Sequence, residues 1–347
     1  MYQAHFKLRK SPFAMTPDPN FLFNTAAHRD ALAGLTYAVL DCKGFVLLTG
    51  ESGTGKTTVL SRMMRLVPAD RAVFSLVLNP TLNASEFLEA ALLDFGVESV
   101  PVSKVHRLVL LQRLLMAAQS EGKTCVLVVD EAHKLSAEVL EEIRLLTNFE
   151  NSERKLLQII LSGQTELCEL LNRGDLRQLK QRIALRFQLR PLAQMEVTEY
   201  IAFRWMKAGA EQQSPFSPEA TGVIAAVSAG IPRVINSLCD NALVLAYGNG
   251  DAVVTAAHVR QAARDLDLLG ESKLISAPAS DSTSPGSVLS HSSLPVLNLP
   301  RPVSAVSELY PIRLQTLERY LPPEPRPSRL TRAMGKLKLL NLERSAS

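Results

Sequence analysis

Through the first part of the chain, short runs of consecutive apolar residues alternate with stretches in which apolar positions recur every three or four. The runs are Phe45–Thr49, Ala72–Leu78, Thr124–Val129, Leu156–Leu161 and Ala184–Leu189. They predict strands, and Thr124–Val129, a continuous apolar run, is of the kind buried on both faces in a parallel sheet. Helical periodicity covers Thr25 to about Cys42, Thr58–Val67, Ala84–Phe95, Ser103–Ser120, a Ser136-capped stretch to Phe149, Glu166–Asn172 and Leu176–Arg182. Strands alternating with helices predict the α/β class, with a three-layer parallel-sheet core over residues 25–192. From Met195 the β character stops. Helical stretches near Glu196–Ala210, Pro218–Ala229, Pro232–Tyr247 and Thr255–Leu268 predict a small all-α lid over residues 193–269.

The first apolar run leads into Gly50-Glu51-Ser52-Gly53-Thr54-Gly55-Lys56-Thr57, followed by Thr58. This matches G-x-x-x-x-G-K-[ST] at every fixed position and sits between a strand and a helix, where the pattern has physical meaning. Such a turn aims consecutive backbone N–H groups and the helix's positive end at an anion. Lys56 is placed to reach the β- and γ-phosphates, and the Thr57 hydroxyl to ligate Mg²⁺. The stretch predicts a nucleoside-triphosphate site. Ahead of it, residues 1–24 hold three prolines in eight positions, which predicts an extended arm without helix. Its aromatic side chains need burial, and the neighbourhood of the nucleotide is one place for them.

Hydrolysis of a phosphoanhydride needs a metal, a placed water and something to neutralise developing charge. Asp130-Glu131 closes the third apolar run, on the edge that faces the ligand crevice of a parallel sheet. Asp130 is the candidate for the Mg²⁺ shell and Glu131 for polarising the attacking water. The letters Asp130-Glu-Ala-His133 also match a helicase motif, but no second motor domain follows, so His133 reads as a surface or supporting residue. The fourth run closes on Ser162-Gly163-Gln164. Gln164 is the candidate to sense the γ-phosphate, with Ser162 in reserve and a plain turn the alternative. Arg182 and Arg186, just before and within the last run, suit a finger offered to a neighbouring subunit's nucleotide. Arg233, opening a lid helix, could touch phosphate from above.

Composition changes this picture at the end of the chain only. Residues 270–347 hold ten of the 20 prolines, a serine-rich stretch at 276–293, and ten Lys/Arg against six Asp/Glu, which accounts for the whole net charge of +4. This predicts a largely disordered or polyproline-like tail, in which Pro311–Tyr320 and the basic Arg329–Leu342 could order on a partner. The preceding residues are charge-balanced, so a broad nucleic-acid footprint is not expected there. The four cysteines are scattered, as in a protein of a reducing compartment. The first residues lack a signal peptide's apolar core, and no run is long enough for a membrane helix. A cytoplasmic location is expected.

The succession resembles the AAA+ ATPases, and its wording is similar to the ExeA/GspA-like family associated with type II secretion. The resemblance rests on Tyr2 to Phe6, Ser11-Pro-Phe13, Thr16-Pro-Asp-Pro-Asn-Phe-Leu22, His28-Arg-Asp-Ala-Leu32, Gly44–Thr58, Asp130–His133, Gly163-Gln164, Gln181–Arg186 and Gly230–Asp240. It implies that Gly50–Thr57 is Walker A, Asp130-Glu131 Walker B, and Gln164 sensor 1. It also implies that Arg182 or Arg186 is the arginine finger and Arg233 sensor 2. Members hydrolyse ATP and work as homo-oligomers with the nucleotide between subunits. Secretion members continue from the lid into a membrane span and a periplasmic domain, where this chain has its Ser/Pro-rich tail. Stand-alone relatives include DNA-binding transposition helpers of the MuB/TniB type. The expectation is an oligomeric ATP-driven motor or switch with a secretion or envelope partner; an ATP-dependent DNA-binding helper is the alternative.

Overall fold

The computed structural model describes residues 2–269 except 17, 79, 80 and 153, all within one compact unit, residues 1–277. The tail stretches at 276–293, Pro311–Tyr320 and Arg329–Leu342 lie outside the described residues.

In chain order the elements are α1 (Tyr2–His5), α2 (Ala26–Leu40), β1 (Phe45–Gly50), α3 (Lys56–Leu66), β2 (Ala72–Val77), α4 (Ala84–Asp94), α5 (Lys104–Ser120) and β3 (Thr124–Val129). They continue with α6 (Ala137–Leu146), β4 (Leu157–Gly163), α7 (Glu166–Leu171), α8 (Arg177–Gln181), β5 (Leu185–Leu189), α9 (Gln194–Lys207), α10 (Pro218–Ser228), α11 (Pro232–Asn249) and α12 (Ala256–Asp265). The five strands form one parallel sheet in the order β2-β3-β4-β1-β5.

Every residue of β1, β3 and β4 is buried, which is why these runs are apolar without alternation. Alternate residues still go to different layers, because successive side chains leave opposite faces of a strand. Phe45, Leu47, Leu127, Val129 and Ile159 pack with α4, α5 and α6. Val46, Leu48, Val126, Val128 and Ile160 pack with α2 and α3. A third core joins α9 to α12, and it includes Tyr2 and Phe13 from the start of the chain.

The order of the strands places the chemistry. The strands are parallel, so the ends of β1, β4 and β3 emerge side by side at one edge, with β4 in the middle. Gly50, Gly163 and Val129 end these strands, so the glycine loop, Gln164 and Asp130-Glu131 share that edge.

The arm departs from expectation. It contains the helical turn α1 and a 3₁₀ turn at Pro19–Phe21, where an entirely extended segment is read from the prolines. Pro19 occupies the first helical position, where the absent N–H has no partner to lose, and the Asp18 carboxylate accepts the Asn20 N–H at 2.9 Å. Elsewhere β4 runs on through Ser162 and Gly163, and α6 stops at Leu146 rather than reaching Phe149.

Candidate functional site

Between sheet edge, arm and α11 lies a cleft of about 280 Å³. Its floor is the loop. Helix α3 begins on Gly55 with no side chain capping its N-terminus, so its first N–H groups face the cleft and suit an anion. Gly53 adopts φ 81°, and a Cβ there would lie 2.6 Å from the Cβ of Arg233. Both the turn and the approach of α11 therefore require glycine at this position.

Lys56 is 5% exposed. Its Nζ donates to the carbonyls of Gly50 at 2.9 Å and Glu51 at 3.0 Å. Burial holds this ammonium below the usual lysine range, opposed by the charges of Glu131, Asp130 and Glu166. Thr54 is fully buried, and its hydroxyl also donates to the Glu51 carbonyl, at 2.8 Å.

Asp130 is the hub of the edge. Its Oδ2 accepts the Thr57 hydroxyl at 2.6 Å. Its Oδ1 accepts the Ser162 hydroxyl at 2.7 Å and the Glu131 N–H at 3.0 Å. Ser162 thus orients the carboxylate from the intervening strand. Glu131 follows in the left-handed region, φ 53° and ψ 31°, a conformation that costs a non-glycine residue about 1–3 kcal/mol. The turn sends its side chain into the cleft, where it is 37% exposed. Gln164 meets the edge one strand over and bonds His133 through both its backbone and its side chain.

The lid is seated on the loop. The Arg233 N–H donates to the Gly53 carbonyl at 3.3 Å, and the Leu192 N–H to the Gly230 carbonyl at 2.8 Å. Gly230 has φ 76°, and a Cβ there would stand 2.0 Å from the Leu192 carbonyl oxygen. Gly230→Ala is therefore expected to lower the melting temperature by roughly 4–8 °C, from a loss of about 2 kcal/mol. Gly250 shares the φ of 76° but has open space around it, so Gly250→Ala should cost less than half as much. Equal losses in thermal melts would show that the lid–core approach is not tight.

Residues 40–171 match the AAA domain family. These residues carry an AAA domain. The chain is 41% identical over 270 residues to general secretion pathway protein A of Aeromonas hydrophila, covering 77% of this chain and 48% of that protein. The chain therefore spans about half the length of that relative. A more distant relative is the ATP-dependent target DNA activator B of Escherichia phage Mu, 26% identical over 74% of this chain and 76% of the activator. Among solved structures, Aeropyrum pernix ORC1 in complex with DNA superposes with TM-score 0.56 at 18% identity, over 75% of this chain and 70% of that one. Pyrobaculum aerophilum Cdc6p gives 0.55 at 16%, over 72% and 71%. At these identities the last two speak for the fold alone.

The structure brings together Ser52–Thr58, Asp130, Glu131 and Arg233, with Gln164 joined through His133. Gly50 and Glu51 contribute carbonyls that hold Lys56. Arg182 and Arg186 do not line the chain's own cleft. Arg182 donates to Thr147 Oγ1 and Asn148 Oδ1, both at 2.6 Å, whereas the exposed Arg186 makes a 3.3 Å bond to the Lys180 carbonyl. Among the described residues no helix is long and apolar enough to cross a membrane.

Three contributors to the cleft escape a reading by pattern. His28 donates from Nε2 to the Thr54 carbonyl at 3.1 Å while its Nδ1 accepts the Thr25 hydroxyl at 2.7 Å, bracing the loop from α2. Burial lowers its pKa, against the bond to Thr54, which favours the charged form. Arg204 is buried in α9, donating to the Pro12 carbonyl at 2.6 Å and to the Tyr200 hydroxyl at 3.0 Å, with its guanidinium 5.0 Å from the Phe21 ring centre. Asn236 accepts the Tyr200 hydroxyl at 2.8 Å. An arginine four residues after a tyrosine inside an apolar helix face is the one local sign of this network.

Proposed function

We propose that this chain binds ATP with Mg²⁺ and hydrolyses it to ADP and phosphate, as an oligomeric switch serving secretion or envelope assembly. The observation that carries the reading is the Thr57–Asp130 hydrogen bond beside an uncapped helix N-terminus, which sets a hydroxyl and a carboxylate next to an anion cradle. Oxygen donors of this kind fit Mg²⁺, which keeps several waters and takes one or two protein oxygens together with phosphate. Thr57 and Asp130 would hold it, and the ion would supply neutralisation of charge on the phosphate oxygens.

The chain's own residues do the rest. Lys56 exchanges the Gly50 and Glu51 carbonyls for phosphate oxygens. Glu131 orients the attacking water from the end of β3, and Gln164 reads the γ-phosphate from the end of β4. Arg233, bonded to Gly53 through its backbone, reports nucleotide to the lid. Arg186 or Arg182 completes the site of a neighbouring copy, and Arg186 has the fewer bonds to break.

The similarity to general secretion pathway protein A supports the secretion role, and a place in the cytoplasm, where ATP is available, is proposed with it. The phage activator raises DNA as a ligand, but residues 1–269 carry 28 basic and 28 acidic side chains, a balance that does not favour it.

The test is phosphate release by the purified chain. Release should need Mg²⁺, stop in excess EDTA, and rise per molecule as protein concentration brings neighbours together. Turnover that persisted in EDTA would remove the Thr57–Asp130 metal reading. Absence of release at every concentration would leave a nucleotide-binding scaffold.

A further inference from the structure

His133 stands outside every role assigned above, yet three contacts converge on its ring. The side chain is 11% exposed. Nδ1 accepts the backbone N–H of Gln164 at 3.3 Å. Nε2 lies 3.2 Å from the side-chain amide nitrogen of Gln164 and 3.6 Å from Glu131 Oε2. The first contact fixes the ring's chemistry. A nitrogen that accepts from a backbone N–H carries no proton, so the neutral imidazole holds its proton on Nε2. That N–H faces the carboxylate of Glu131, and the Gln164 amide, whose nitrogen stands at 3.2 Å, accepts from it once its two ends are exchanged so that the oxygen faces the ring.

The backbone leaves the ring little room to do otherwise. A Cβ on Gly163, the last residue of β4, would meet the His133 backbone nitrogen at 3.1 Å. The end of β4 and the 3₁₀ turn at Ala132–Lys134 are pressed together. The 3.6 Å to Glu131 is long for a hydrogen bond, and contacts of this kind shorten when a reacting complex forms.

We propose that His133 is a positioning residue for hydrolysis, joining Glu131 to Gln164 through one imidazole so that water activation and γ-phosphate sensing move as a unit. The proposal rests on the ATPase reading above. Loss of γ-phosphate at Gln164 then shifts the partner of Glu131, and a poorly seated Gln164 leaves Glu131 misaligned.

Two near-isosteric variants separate positioning from scaffolding. His133→Gln restores an N–H donor where Nε2 stood, whereas His133→Asn keeps only the acceptor facing the Gln164 N–H. Steady-state ATP turnover, affinity for a fluorescent ATP analogue and melting temperature are measured on the full chain. For His133→Ala and His133→Asn, kcat should fall on the order of tenfold to a hundredfold, with KM and analogue affinity within about twofold of the parent. His133→Gln should recover most of the rate. Rescue by Asn but not by Gln would mark a structural anchor and overturn the proposal, as would parental kcat in His133→Ala. So would losses from His133→Ala and Gln164→Ala that multiply in full, because residues acting as a unit are not additive. If Glu131→Gln abolishes turnover while His133→Ala turns over normally, the coupling alone fails. If Glu131→Gln itself turns over normally, the hydrolysis reading fails with it.

Discussion

Glu131→Gln binds ATP as well as the parent and releases phosphate at least about a hundredfold more slowly, the scale on which a positioned general base contributes. The substitution keeps the shape of the side chain and the length of its reach. It leaves Asp130 with its three donors, so the corner it forms with Thr57, proposed above to hold Mg²⁺, is intact. What disappears is a carboxylate that can draw a proton from water, and an amide cannot replace it. The left-handed backbone at Glu131 sharpens the expectation, since a strained turn at a strand end holds a side chain in one direction. Measured side by side, analogue affinity should be unchanged and single-turnover phosphate release nearly absent. Release at the parental rate would mean that another group activates the water.

Lys56→Ala fails one step earlier, in binding. Its ammonium is buried among loop carbonyls, and in the proposed function it is the cation that reaches the phosphates from within the loop. Truncating one partner of a buried charged pair costs about 2–5 kcal/mol, so affinity should drop by at least about thirtyfold. Removing it also strands the carbonyls of Gly50 and Glu51, which must then find water. A titration with the fluorescent analogue distinguishes the two variants: Glu131→Gln follows the parental curve and Lys56→Ala is displaced from it. If both followed the parental curve, the loop would not be the phosphate cradle.

The sheet was legible because its three central strands are buried throughout, so Phe45–Leu48 and Cys125–Val129 are apolar on every successive residue and lack the periodicity of an amphipathic helix. The glycine loop was legible because G-x-x-x-x-G-K-T, set between a strand and a helix, has the seating of phosphate as its physical purpose. Strand order was not, since nothing local tells β1 to lie between β4 and β5. That order alone makes Ser162 the neighbour of Asp130, with its hydroxyl on the carboxylate rather than on phosphate. Prolines at the start hid the 3₁₀ turn at Pro19–Phe21, because a proline that ends one helix can begin another. His133 looked incidental for a similar reason. Its partners lie on its own turn and past the end of another strand, and a linear pattern shows only the first. Arg204 and Asn236 act on the arm and on Tyr200 across long stretches of sequence, which periodicity does not register.

The arm that straps itself to the lid sets a schedule for biosynthesis. Phe13 packs edge-on against Phe216, and the Tyr2 hydroxyl donates to Asp240 at 2.5 Å, partners 238 positions apart. A ribosome adding about 5–20 residues per second exposes the arm for roughly 10–50 seconds before its partners exist. The α/β sheet can close in that interval from strands already made, while Tyr2, Phe6 and Phe13 wait with their apolar faces in water. The opening residues of the chain are therefore among the last to find their places. Completion of the cleft, which Ala14, Met15 and Phe21 of the same arm help to wall, coincides with completion of the lid.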